Sequence, residues 1–232
     1  TGYAIDVRTA YGLIDHNSFT FTTGSSQPIN VRGPSDSWQT DSTIGRENNV
    51  FLEDNVFTSD NLGYPVCSTN ARCVFRYNTI EGPVKIDMHG ECTGNPGVRH
   101  YEIYNNEWLD YTGYYRAFDI RGGTGRIFDN VGTNSSGAMW FNLDEHAAND
   151  TYCAGYSPNC GCTAPLIHQI GVGKDIDQST YGARGAEPLY IWGTKKNGAY
   201  WLAGINTDVT LCATVDQCGT GFAMSDILTE GI

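Results

Sequence analysis

Two short phrases of this chain set an acid and a base two residues apart. "IDMH" (86–89) carries Asp87 and His89, and "FDIR" (118–121) carries Asp119 and Arg121. Histidine titrates near neutral pH and arginine keeps its charge, so the set offers a proton acceptor, a fixed cation and two carboxylates. Two chemistries suit it. His89 and Arg121, with Asp87 and Asp119 beside them, can abstract the C5 proton of a uronate and neutralise its carboxylate. Calcium is a candidate helper in that elimination, and no other cofactor is implied. The paired carboxylates can instead serve as acid and base in glycoside hydrolysis if their separation is right. The plain alternative is a solvated sheet face, whose alternating charges keep the protein soluble and add little stability.

The elements that must position these residues repeat. "IDVR" (5–8), "INVR" (29–32) and "FNLD" (141–144) are near copies of the same unit, and "YPVC" (64–67) fits as a degenerate copy ending in Cys67. Strand alternation sends the apolar pair of each copy to one face and the polar pair to the other. One outward column then holds Asp6, Asn30, Asp87, Asp119 and Asn142, and a second holds Arg8, Arg32, His89, Arg121 and Asp144. A second unit falls between the copies: "LIDHNSF", "FLEDNVF", "VFRYNTI", "EIYNNEW" and "RIFDNVG" align on Asn17, Asn55, Asn78, Asn106 and Asn130. Ile14, Leu52, Phe75, Ile103 and Ile127 stand three positions before these residues. Phe19, Phe57, Ile80 and Trp108 stand two after, and Gly132 ends that series. Two short strands in a repeat of 20–30 residues read as a solenoid, in which each coil buries its apolar side only by stacking on its neighbours. An Asn at the same turn of every coil can pass hydrogen bonds along the axis as an amide ladder.

The aligned Asn turns, the "IDHN" phrase and the short minimum coil resemble the pectate-lyase-like superfamily over residues 3–146. "LIDHNSF" is similar to a segment common in pectate lyases, while the paired-aspartate motifs of polygalacturonases are missing. The resemblance implies an all-β, right-handed parallel β-helix of about six coils, with a polysaccharide lying along an outer sheet. Arg32 then joins the site residues as a substrate contact. Trp38, in an inserted segment, and Tyr114 and Tyr115, in the aromatic-rich stretch "YEIYNNEWLDYTGYYRAF", are candidates to stack on sugar rings. The scaffold also hosts adhesins and tailspikes, so a non-enzymatic surface or filament protein is the rival reading.

A formal charge of −12 with no basic run argues against a nucleic-acid partner. No apolar run is long enough to span a bilayer. Eight cysteines, among them the closely spaced Cys67/Cys73 and Cys212/Cys218, suit disulfides and a secreted or cell-surface location. The repeat fades after residue 146, so 147–232 reads as a disulfide-rich region of loops and strands that caps or flanks the solenoid. The chain starts without Met, as a mature product or a fragment does. Its first coil would then offer an open edge for head-to-tail self-association.

Overall fold

Alternating side chains and one tight turn per coil build the molecule. The structure is a computed structural model and describes residues 3–21, 27–90, 97–110, 117–133, 141–143, 170, 172–175, 184–200 and 227–228. The first coil is β1 (Ile5–Arg8), β2 (Gly12–Asp15) and β3 (Ser18–Phe21). The second is β4 (Ile29–Arg32), β5 (Val50–Glu53) and β6 (Val56–Ser59). The third is β7 (Val66–Cys67), β8 (Arg72–Arg76) and β9 (Thr79–Glu81). The fourth is β10 (Ile86–Met88), β11 (His100–Tyr104) and β12 (Glu107–Leu109), and the fifth is β13 (Phe118–Ile120), β14 (Thr124–Phe128) and β15 (Val131–Gly132). Beyond them lie β16 (Phe141–Leu143), β17 (Val172–Asp175), β18 (Arg184–Ala186), β19 (Leu189–Trp192), β20 (Lys195–Lys196), β21 (Ala199–Tyr200) and β22 (Ile227–Leu228).

Each coil gives one strand to each of three sheets. The first sheet runs β1-β4-β7-β10-β13-β16 and the second β2-β5-β8-β11-β14-β19-β22. The third runs β3-β6-β9-β12-β15-β20 and ends on β21, which is antiparallel. All other neighbours within these three sheets are parallel, and the whole is a right-handed β-helix of about five to six coils.

The coils do not stop at residue 146, which corrects the boundary expected from the repeat. β16 leaves for a long insertion that contains the antiparallel pair β17–β18, and the chain returns as β19 on β14 and β20 on β15. Residues 189–196 therefore complete a sixth coil. Cys212 and Cys218 lie outside the described residues.

The interior is stacked in register. Ile14, Leu52, Phe75, Ile103, Ile127 and Ile191 form one column, and Phe19, Phe57, Ile80 and Trp108 another. Phe118 and Phe141 stack with centroids 4.4 Å apart. In the first coil Ile5, Val7, Ile14 and Phe19 are only partly buried, whereas their partners Ile29, Val31, Leu52 and Phe57 are closed off.

The turn between the second and third sheets is the same in every coil. His16, Asp54, Tyr77, Asn105 and Asp129 take φ of 51–58°, and Gly193 takes 62°. Each precedes a rung of an amide ladder. Asn17 Nδ2 donates to Asn55 Oδ1 (3.2 Å), Asn55 to Asn78 (3.2 Å), Asn78 to Asn106 (2.8 Å) and Asn106 to Asn130 (2.9 Å). Asn130 ends it on the Thr194 hydroxyl (3.4 Å). Left-handed backbone is costly for residues with a Cβ, and the ladder's hydrogen bonds offset that cost.

Cys67 and Cys73 are joined by a disulfide across the turn from the first sheet to the second, and both are fully buried. Closing a loop of sequence separation 6 limits the unfolded chain only modestly. The Cys67→Ala/Cys73→Ala double variant is therefore expected to lose about 2 kcal/mol, read from urea unfolding. An unchanged midpoint would show that this bond adds nothing to the stacked coils around it.

Candidate functional site

The outward face of the first sheet gathers the ionisable residues. The register runs Asp6–Asn30–Val66–Asp87–Asp119–Asn142 down one column. Cys67 pairs with Val31 and Met88 and points inward, so the degenerate copy is displaced by one residue from the expected alignment. Ser68 follows it in place of an arginine. In the upper coils a polar chain crosses the face: Arg8 is paired to Asp6 (2.7 Å), Asn30 donates to Asp6 (3.0 Å) and Ser68 donates to Asn30 (3.0 Å).

The fourth and fifth coils hold the charged centre. Arg121 NH2 donates to both oxygens of Asp87 at 2.8 Å. Lys85 Nζ lies 3.2 Å from Asp87 and 2.5 Å from Asp119, and it sits 4.4 Å above the Tyr64 ring. Asp119 Oδ2 is also 3.9 Å from Arg121 Nε. His89 Nδ1 is 3.6 Å from Asp87 and in contact with Arg121 NH2.

The face is not uniformly solvated: Arg8 is exposed, but the two aspartates of the centre are not. Asp87 is 0% and Asp119 1% exposed, because neighbouring cations close over them. Burial alone would raise the Asp87 carboxyl. The Arg121 guanidinium, helped by His89 and Lys85, reverses this and holds it well below the usual carboxylate range.

The centre thus joins Asp87, Asp119, His89 and Arg121, the four residues singled out for chemistry. Lys85 was missed, although "KIDMH" shows its signal: Lys85, Asp87 and His89 alternate onto one face of β10. Both carboxylates touch one ammonium, so they lie closer than the ~6.5–9.5 Å an inverting glycosidase needs. Their charge is already met by Lys85 and Arg121. Among the described residues no three His, Cys, Asp or Glu side chains converge on a metal position.

Arg32 stands apart. Its side chain makes no hydrogen bond or ion pair among the described residues, and its Nε is buried without a partner. It lies two coils from His89, roughly 10 Å along the sheet at one strand spacing per coil. Trp38 is not a sugar platform. It is fully buried, donates from Nε1 to the Gly97 carbonyl (3.0 Å) and carries the Arg99 guanidinium 5.1 Å over its ring. Tyr114 and Tyr115 lie outside the described residues.

The fold and this face define the class of the protein, a right-handed parallel β-helix with an ion-paired first sheet. Its architecture agrees with that of the pectate-lyase-like superfamily and is compatible with carbohydrate-active or carbohydrate-binding proteins in general. No protein-family model, no curated protein and no solved structure matches the chain. The disulfide is consistent with an extracytoplasmic protein. Among the described residues no helix is long and apolar enough to cross a membrane.

Proposed function

We propose that this is a secreted or cell-surface protein that binds an acidic polysaccharide along its first sheet. The observation that carries this reading is Arg32. Among the described residues this guanidinium makes no hydrogen bond and acts on Asp6 only at a distance; on the same face as a charged cluster, it suits a uronate carboxylate, which it can take bidentately. Successive coils would supply successive subsites to a linear polymer. Cleavage by β-elimination is the catalytic extension. Arg121 would take the uronate carboxylate and His89 the C5 proton; the C4–O4 bond then breaks, a C4=C5 double bond forms and the leaving oxygen takes a proton from water, while Asp87 holds the cluster in place. Hydrolysis is less suited, because Asp87 is held ionised and is a poor proton donor.

The test is gel retardation on polygalacturonate and alginate, with a neutral β-glucan as control. Ultraviolet absorbance of unsaturated uronate and new reducing ends are followed in parallel, with calcium and with chelator. Arg32→Ala is expected to weaken retention on the acidic polymers about 10–100-fold without moving the unfolding midpoint. Equal retention of both proteins would remove Arg32 from the site, and no retention of the wild type would end the polysaccharide reading.

The adhesive or filament reading is the rival, because a stacked-coil scaffold suits it as well as it suits polysaccharide binding. Particle mass that grows with concentration supports that reading, and a constant monomer mass removes it.

A further inference from the structure

A second cluster lies at the start of the second sheet, beneath the segment that joins β4 to β5. Arg72 opens β8 and pairs in register with His100 of β11. Both are buried, at 6% and 0% exposure, as are Arg99 and Ser37. Arg99 has a carboxylate, since Glu187 accepts from its NH1 and NH2 at 2.9 and 3.2 Å. Arg72 has none. It donates to the Ser37 carbonyl (3.1 Å) and to the Thr40 and Thr43 hydroxyls, and its Nε has no partner. The Ser37 hydroxyl, a few atoms away on the same residue, is also unpartnered.

Among the described residues Asp36 and Glu187 act on Arg72 only at a distance, and no carboxylate hydrogen-bonds to it. Glu102 accepts from the Gly45 amide at 2.7 Å. The Asn49 amide nitrogen donates to the Thr43 and Arg46 carbonyls, so its oxygen accepts from His100 Nε2 (2.7 Å). His100 Nδ1 has no partner, and burial with the two arginines pushes the His100 pKa well down, which favours the neutral ring. Among the described residues the two guanidinium groups thus have one directly paired carboxylate, Glu187. In a low-dielectric site that excess is expensive, and orphaned donors beside it ask for an acceptor that carries charge. Water would satisfy the donors without the charge.

We propose that Arg72 Nε and the Ser37 hydroxyl, backed by Arg99, form a buried site for a small inorganic oxoanion of the sulfate or phosphate class. Arg72 Nε would donate to one oxygen of such an ion and the Ser37 hydroxyl to another, while the other guanidinium nitrogens stay on Ser37, Thr40 and Thr43. The site is separate from the first-sheet face and does not depend on what that face binds.

The test is thermal unfolding in chloride buffer at fixed ionic strength, with millimolar sulfate or phosphate added in place of chloride. Wild type is expected to gain about 5–10 °C once the anion reaches a hundred times its dissociation constant. Arg72→Gln should lose that gain, whereas Arg46→Gln, at an exposed arginine, should keep it. Equal gains in all three proteins would mean general salting-out stabilisation and overturn the proposal, as would no gain in wild type. Should Arg72→Gln fail to fold, Ser37→Ala and equilibrium dialysis of labelled sulfate decide the matter. One equivalent per wild-type chain, weakened in Ser37→Ala, is the result expected, and no bound equivalent overturns it. Oligogalacturonate is run beside the inorganic ions, and a gain from it alone would assign the arginines to a polymer carboxylate instead.

Discussion

Arg121→Met is expected to destabilise the fold by about 3–5 kcal/mol at neutral pH, measured by urea unfolding. The magnitude follows from what the substitution leaves behind. Asp87 loses the nitrogen that holds both its oxygens, and Asp119 loses its weaker contact with Nε. Lys85 then faces two buried carboxylates alone. The pH dependence carries the sharper signature. In the wild type the folded-state value of Asp87 is depressed below the ordinary 3.8, so its contribution is fully present above that value. It is lost as pH falls through the lower, folded value. Without Arg121 the leading influence on Asp87 is burial, which raises its pKa, so the variant takes up a proton in acid more readily than the wild type. The deficit should therefore shrink on acidification from neutral pH toward pH ~5, as the uncompensated carboxylate neutralises. A deficit below ~1 kcal/mol, or one constant with pH, would mean that Arg121 is a surface cation and that the cluster is not a coupled unit.

Particular residues show how much of this was legible beforehand. The Asn column and the apolar residues three before and two after it were readable because strand geometry has a strict period of two and the turn recurs once per coil. The sixth coil escaped because its marker changed: Thr194 stands where Asn was sought, Gly193 takes the left-handed position, and a long insertion separates it from β16. In the site, residue type and alternation pointed to Asp87, His89, Asp119 and Arg121. Burial did not follow from type, since it depends on Tyr64 and Lys85 reaching across from neighbouring positions. The third coil slipped by one residue because Val66 and Cys67 are both apolar and carry no polar mark of the outward face. Arg72 and Arg99 belong to no repeat, so only their packing against the segment around Ser37 reveals them.

The amide ladder is expected to be the other large contributor, and position along it should decide how large. Asn106 is fully buried in the middle. Its Nδ2 donates to the Phe75 and Tyr104 carbonyls (3.0 and 3.1 Å) and to Asn130. Its Oδ1 accepts from the backbone and side-chain nitrogens of Asn78 (3.1 and 2.8 Å). Asn106→Ala leaves two donors of Asn78 facing an apolar void, at roughly 1–3 kcal/mol for each group that finds no substitute partner. A loss of about 3–5 kcal/mol is expected from urea unfolding. Asn106→Asp should cost at least as much, although it keeps the volume, because a carboxylate would confront three oxygens with no hydrogen to offer. That comparison separates hydrogen bonding from packing. Asn17→Ala, at the exposed rung of the first coil, should cost less than ~1 kcal/mol, since water replaces its partners. Solenoid stability is close to a sum of coil and nearest-neighbour terms, so a broken middle rung also weakens the coupling between the halves. A lower m-value in Asn106→Ala than in Asn17→Ala would report that uncoupling. Equal losses at both rungs would instead make the ladder a uniform surface feature, and the left-handed turns would have to be held by the packing of Leu52, Phe75 and Ile103 alone.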